Sequence, residues 1–239
     1  MKISVIIPAL NEADNIASCV GSVENQEGDF EIIVVDGGST DGTAELVSSR
    51  ARVIASERGR AAQMNEGARK ASGDAFLFLH ADSRLHPHAL AHLRKALADS
   101  RVAGGTFTLK FDSEEFLLRF YAAFTRLKFR YFHFGDQGIF VRRGAFEQLG
   151  GYKQMPLMED MDFLARLRGL GRVALIDLPV TTSARRFLKR GPLQQQLLNI
   201  FLVSCYLLGV KPSTLSRFYG AHSRAAPAPH RSSSKPSRD

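Results

Sequence analysis

Three apolar strand-like segments in the first eighty residues each run directly into a polar signature, and that alternation constrains the fold more than any bulk property does. Residues 3–7 lead into Pro8-Ala9-Leu10-Asn11-Glu12, and residues 30–35 into Asp36-Gly37-Gly38-Ser39-Thr40-Asp41-Gly42-Thr43. Residues 75–79 lead into His80-Ala81-Asp82-Ser83. Helical patterns separate these strands, which favours a parallel sheet with crossover helices. In an open α/β sheet, ligands bind outside the carboxyl ends of the strands. Carboxylates gathered at that edge suit a sugar hydroxyl, a base edge or a divalent metal.

The first half keeps this rhythm. Helices are predicted at residues 11–27, 41–49, 60–71 and 87–98, with strands at 31–35, 52–55 and 75–79. Ala61, Met64, Ala68 and Ala71 fall at helical spacing, and Pro87 suits a first helical turn. The second half is less regular. Residues 104–111 alternate as a half-exposed strand would, with Phe107, Leu109 and Phe111 on one face and Thr106, Thr108 and Lys110 on the other. Residues 114–134 form a long helical candidate dense in Phe, Tyr, Arg and Lys, which reads either as core or as a surface for a membrane interface. A strand at 137–141, helices at 144–149 and 160–170, and a strand at 172–177 follow. An apolar helix is expected at 194–208 and a short one at 212–219. From residue 221 the Ala-, Pro-, Ser- and Arg-rich sequence has too little apolar surface for a core and is expected to be disordered.

Composition excludes several classes. Hydrophobic content of 44% and charged content of 23% are those of a folded globular chain. Residues 1–183 hold 22 Lys and Arg against 23 Asp and Glu, a net charge of −1. Residues 184–239 hold 10 basic residues against Asp239 alone, a net of +9. A near-neutral body argues against a protein built to bind nucleic acid. The basic C-terminal segment suits an anionic surface or a diphosphate. Cys19 and Cys205 lie far apart in apolar settings, so no disulfide is expected and a reducing cytoplasm is the expected compartment. Met1-Lys2 enters a strand directly, so no secretory leader is expected. Residues 197–210 are too short for a membrane span, which needs roughly 20 apolar residues.

Seven motifs carry a family resemblance in their order and spacing: VIIPALNE ending at Glu12, VVDGGSTDGT at 34–43, ERGRAAQMNEGA at 57–68, LHAD at 79–82, GDQGIFVRR at 135–143, MEDMDF at 158–163 and TTSARRF at 181–187. Together they resemble the family 2 glycosyltransferases of the GT-A fold, over roughly residues 2–220. The GRAAQMN, LHAD, GDQG and TSARR set is similar to the subgroup associated with arsenosugar biosynthesis or radical-SAM/selenodomain neighbours. The resemblance implies a GT-A-like, mostly parallel sheet flanked by helices in residues 1–190. It leaves apolar and basic helices at 191–220, packed on that domain or on a membrane surface, and a tail at 221–239.

Site roles follow residue by residue. Pro8 and Ala9 are expected to line a base, with Glu12 and Asp36 accepting hydrogen bonds from ribose or base; Glu12 equally suits the start of a helix. Arg60 opens a helix beside Arg58 and Gly59, an anion-binding arrangement that the resemblance places near a diphosphate. Asp82 occupies the metal-binding position of a DxD-type motif whose first residue is here His80, so Mg²⁺ or Mn²⁺ would be held by a single carboxylate with phosphate oxygens and water. His80 reads equally as a ligand or as a hydrogen-bonded structural histidine. The resemblance makes Asp160 the general base, supported by Glu159 and Asp162. Asp136, Gln137, Glu159 and Phe187 fall on the acceptor side, and Arg185 and Arg186 meet the diphosphate. Phe187 stands where tryptophan is more common, which removes an indole N–H donor.

The reaction implied is inverting transfer of a sugar from a nucleotide-diphosphate donor, UDP-linked by expectation, to an acceptor hydroxyl on a lipid, small metabolite or glycan. Peripheral contact with the inner face of a membrane is a further expectation. The rival readings are a non-catalytic membrane-associated scaffold and a sugar nucleotidyltransferase, although the latter usually has a glycine-rich, arginine-containing loop after its first strand. No G-x-G-x-x-G follows the first strand, which disfavours a dinucleotide-dependent oxidoreductase.

Overall fold

The computed structural model describes residues 1–124 and 135–224 and divides the chain into two compact units, Met1–Arg185 and Arg186–Asp239. In the first unit, strand β1 (Ile3–Ala9) is buried along its whole length. Helix α1 (Ala13–Glu24) follows, then β2 (Phe30–Asp36), β3 (Arg52–Ala55), α2 (Arg60–Lys70), β4 (Ala75–Phe78), the two-residue β5 (Ser83–Arg84) and α3 (Ala89–Leu97). Next come β6 (Val102–Phe111), α4 (Phe116–Phe124), β7 (Ile139–Arg142), α5 (Arg143–Gln148), α6 (Glu159–Leu167) and β8 (Arg172–Thr182).

The eight strands form one sheet in the order β3-β2-β1-β4-β7-β6-β8-β5. Strands β1 to β4 pair in parallel, β7 runs antiparallel to β4 and β6, β6 pairs in parallel with β8, and β5 closes the edge antiparallel to β8. The mixed, mostly parallel sheet agrees with the sequence expectation. Both of its faces are covered, so its central strands read as continuous apolar runs. On one face Ile3, Val5, Ile7 and Leu77 pack with Ile16 and Val20 of α1 and Leu90 and Leu93 of α3. On the other, Ile6, Ile33, Phe76 and Phe78 pack with Met64 of α2, Phe146 of α5 and Phe163 and Leu167 of α6. Ile3, Val5 and Ile7 face one layer and Ile6 the other, as a side-chain period of two requires.

Several predicted elements change. The helix expected at 41–49 is reduced to a single 3-10 turn at Glu45–Val47, because the side chains of Asp41 and Thr43 bond to the preceding loop instead. Strand β6 is not half-exposed. It lies between β7 and β8, so Thr106 and Thr108 are as buried as Phe107. Gly105 allows this close approach, since a Cβ there would meet the Ala174 carbonyl oxygen at 2.1 Å. Strand β8 runs five residues beyond its expected end, with a register shift that admits Pro179. Neither β5 nor helix α7 (Arg185–Arg190) was anticipated. Residues 125–134, the latter part of the expected aromatic helix, lie outside the described residues.

The second unit comprises the remainder of α7, α8 (Pro192–Leu207) and α9 (Pro212–Arg224). Pro192 supplies the favoured first-turn proline of α8. Phe201 and Phe218 join α8 to α9 with ring centroids 5.6 Å apart. Helix α9 continues past residue 219 and into the segment expected to be disordered; residues 225–239 lie outside the described residues. Among the described residues, no helix is long and apolar enough to cross a membrane.

Candidate active site

The carboxyl ends of β1 and β2 are tied together by their own loops. The Gly37 amide donates to the Ala9 carbonyl at 2.9 Å. Asn11, in the left-handed region at φ 53°, donates its amide to Ser39 Oγ and accepts the Thr40 amide. The Glu12 amide donates to Thr43 Oγ1, and the Ala13 amide to Asp41. Gln63 of α2 completes the junction, donating from Nε2 to the carbonyls of Ala9 at 2.7 Å and Val35 at 2.8 Å. Pro8 and Ala9 are buried at this junction. The Asp36 carboxylate turns into its own loop and accepts the Gly38 and Ser39 amides and the Ser39 hydroxyl.

Beyond β4 the chain bends through His80, Ala81 and Asp82. The Ser183 amide donates to the Asp82 carbonyl, and β5 pairs Ser83 with Thr182. These bonds carry the chain after β8 back to the end of β4. Arg185 therefore ion-pairs with Glu12 and lies 3.5 Å from Asp82, although 173 positions separate it from Glu12. His80 sits opposite the turn before β7, because β4 and β7 pair antiparallel with Phe78 against Ile139. Its Nδ1 lies 2.9 Å from Asp136 Oδ1. Burial pulls the His80 pKa down, but the hydrogen bond and charge of Asp136 outweigh it, and the net shift is upward. Gln137 is fully buried in the same turn.

The first turn of α6 brings two carboxylates into the interior. Glu159 is 1% exposed and Asp160 is 7% exposed. Arg60, at the start of α2, places Nε 2.6 Å from Glu159 Oε1. Burial, followed by the negative charge of Glu159, pushes the Asp160 carboxyl up to about 6, although Arg60 and His80 oppose the shift. Asp160 Oδ1 and Glu159 Oε2 are buried without a hydrogen-bond partner among the described residues. An unpaired buried acceptor is costly in a purely structural role, so such groups call for an explanation in function. Asp162 differs. Lys153 and Arg166 hold it below the usual carboxylate range despite its burial, so it serves the packing of α6.

The structure thus brings together Glu12, Asp82 and Arg185 on one side, and Arg60, His80, Asp136, Glu159 and Asp160 on the other. Arg186 and Phe187 belong to α7 in the second unit. Three residues escaped sequence reasoning. Gln63 is the clamp described above. Asn65 exchanges two hydrogen bonds with the backbone of Tyr152, and the Tyr152 ring stacks on Phe163 at 4.3 Å. Burial, then the charges of Asp160 and Glu159, raise the Tyr152 pKa. A polar residue on the apolar face of α2 was the available signal for Gln63.

The donors present fit a divalent cation in one respect. Glu12 and Asp82 already flank a positive group, the Arg185 guanidinium. Mg²⁺ is commonly held by one or two carboxylates together with phosphate oxygens and water. Among the described residues no three His, Cys, Asp or Glu side chains converge as a self-sufficient metal cage.

Comparison with known proteins agrees with this geometry. The family description glycosyl transferase family 2 matches residues 4–150. A PGL/p-HBAD biosynthesis glycosyltransferase of Mycobacterium tuberculosis is 32% identical over 225 residues, covering 81% of this chain and 85% of the relative. Among solved structures, S. aureus TarS 1–349 with UDP-GlcNAc is similar at a TM-score of 0.63 and 18% identity, over 77% of this chain and 58% of that one. A Pyrobaculum calidifontis mannosyltransferase with GDP-Man and Mn²⁺ gives 0.59 at 25% identity, over 76% and 56%. A Mycobacterium tuberculosis glucosyl-3-phosphoglycerate synthase with Mn²⁺, UDP and product gives 0.62 at 20% identity, over 88% and 80%. This chain spans little more than half of the first two solved chains. It belongs to glycosyl transferase family 2 and is a glycosyltransferase with a GT-A-like fold.

Proposed function

We propose that the enzyme transfers a sugar from a UDP-linked donor to an acceptor hydroxyl with inversion at the anomeric carbon. The carrying observation is the buried Glu159–Asp160 pair, in which Asp160 has an unpaired oxygen and a pKa raised to about 6. A carboxylate so poised is largely ionised at neutral pH and still basic enough to take a proton in the transition state. Asp160 takes the acceptor hydroxyl proton as that oxygen attacks the anomeric carbon. The bond to the diphosphate breaks on the opposite side of the sugar ring. Arg60 holds Glu159 by an ion pair, and its side chain is partly exposed; its guanidinium also meets the diphosphate. Arg185 stabilises charge developing on the diphosphate. Glu12 and Asp82 would hold a Mg²⁺ or Mn²⁺ ion, which supplies further positive charge to the leaving group. Asp36 fixes the loop that receives the nucleotide, next to Pro8 and Ala9. Asp136 and Gln137 complete the acceptor side.

The UDP and GDP ligands and Mn²⁺ of the solved relatives support a nucleotide-sugar donor and a divalent metal. The GRAAQMN, LHAD, GDQG and TSARR set supports membership of the arsenosugar-associated subgroup, a grouping that does not define an acceptor. Two free cysteines support a reducing compartment.

The test pairs calorimetry with turnover. UDP binding is expected to exceed GDP binding and to strengthen with Mn²⁺. Asp160→Asn is expected to lower UDP release from the productive UDP-sugar by about 10²–10⁴-fold, with UDP affinity little changed. Wild-type turnover in that variant would remove Asp160 from the mechanism.

A further inference from the structure

Helix α8 has its polarity the wrong way round for a helix packed only within its own protein. Its buried positions are Leu202 and Gln195, and Gln195 accepts from Arg190 and donates to Asn199 at 2.8 Å. Leu193, Leu197, Ile200, Phe201 and Leu207 are each about half exposed, and Leu208 just beyond the helix is 84% exposed. Leu193, Leu197, Phe201 and Leu208 follow one another at four, four and seven residues, and Leu193, Ile200 and Leu207 at seven, so all six fall on one face of the helix. A chain that buries a glutamine and exposes six large apolar side chains along one face has a surface built for an apolar phase.

The surrounding charge identifies that phase. Arg186 and Lys189 precede α8 in the chain, Lys211 and Arg217 follow it, and all four are exposed. No acidic residue occurs between Asp177 and Asp239. An apolar stripe bordered by basic residues matches the boundary between acyl chains and anionic headgroups. It does not suit a second copy of the same segment, which would set like charges against each other.

We propose that α8 lies in the interface of a membrane carrying anionic lipid, with its Leu193–Leu208 stripe toward the acyl chains. Basic residues draw the segment to the surface and the stripe anchors it. The binding is independent of the catalytic reading, and it presents the transferase to acceptors held at a membrane.

Vesicle flotation of the full chain tests this, using phosphatidylcholine vesicles with and without about one-third phosphatidylglycerol. The protein is expected to float with the anionic vesicles and to be partly released by high salt. Leu197→Glu with Phe201→Glu is expected to lower binding by about tenfold or more, while UDP binding and circular dichroism match wild type. A milder variant, Leu197→Ser, leaves the Phe201–Phe218 contact in place, guards against misfolding and is expected to weaken binding in the same direction. Failure to float with anionic vesicles, or flotation unaffected by both variants, overturns the proposal. So does a concentration-dependent dimer, seen by light scattering, that the same substitutions dissociate. Absence of sugar transfer by the wild-type chain, with flotation intact, would count against the catalytic reading alone.

Discussion

A carboxyl group buried beside another carboxylate keeps its proton longer than one in water, because both desolvation and like charge disfavour ionisation. Asp160 is such a group, and its position sets two measurable behaviours. As the proposed base it would have to be ionised to accept a proton, so kcat/KM is expected to rise with pH and level off above about pH 6. A profile flat from pH 5 to pH 8 would show that another group is the base. The same shift acts on stability in the opposite sense. Asp160 titrates near 3.8 in a model unfolded chain and near 6 when folded. The folded state therefore binds the extra proton between those values, and stability falls as pH rises through that window. Asp160→Asn is expected to raise Tm at pH 7.5, with a gain on the order of 1–2 kcal/mol, as the enzyme loses activity. A lower Tm would show that the ionised pair is favourable in place. The Glu159–Asp160 pair stood out in the sequence through its place in the motif order, although acids in a first helical turn also have an ordinary structural reading. The unpaired oxygen and the Arg60 contact were not legible there, since both depend on how α2 and α6 meet.

At the scale of elements, the parallel strands were legible because burial on both faces makes them continuous apolar runs. Strand β6 misled for the same reason. Its threonines are small enough to be buried, so alternation in sequence did not mean alternation in exposure. The 41–49 segment misled differently, as Asp41 and Thr43 spend their hydrogen bonds on the neighbouring loop instead of extending a helix. What locks the β1 and β2 ends to α2 is Gln63, whose partner Ala9 is 54 positions away. Gln63→Leu keeps much of the volume and removes both donors. It is expected to cost about 1–3 kcal/mol and to weaken UDP binding more than it slows turnover of bound donor. Denaturant unfolding and calorimetry would measure the two effects. An unchanged UDP affinity would mean that the loops hold their shape without the clamp.

Across the whole molecule, the charge division seen in the sequence coincides closely with the division into two units, at Arg185 and Arg186. The first unit has a deep two-faced core; the second leaves most of its large apolar side chains in solvent. Hydrogen exchange of the full chain is accordingly expected to be slowest in β1 and β4 and much faster in α8 and α9. Anionic vesicles are expected to slow α8 selectively. Equal protection throughout would contradict the contrast in burial. Arg185, the last residue of the first unit, has a consequence for how ligands are detected. In the resting enzyme it forms an internal salt with Glu12 and Asp82. An incoming diphosphate does not simply fill a hole. On the proposed reading it trades places with two carboxylates at Arg185, and the heat of titration is expected to report the difference between the ion pairs broken and formed. A small calorimetric signal for UDP alone would be the signature of a balanced exchange, and the stronger signal would come once a divalent cation takes over the carboxylates that Arg185 gives up.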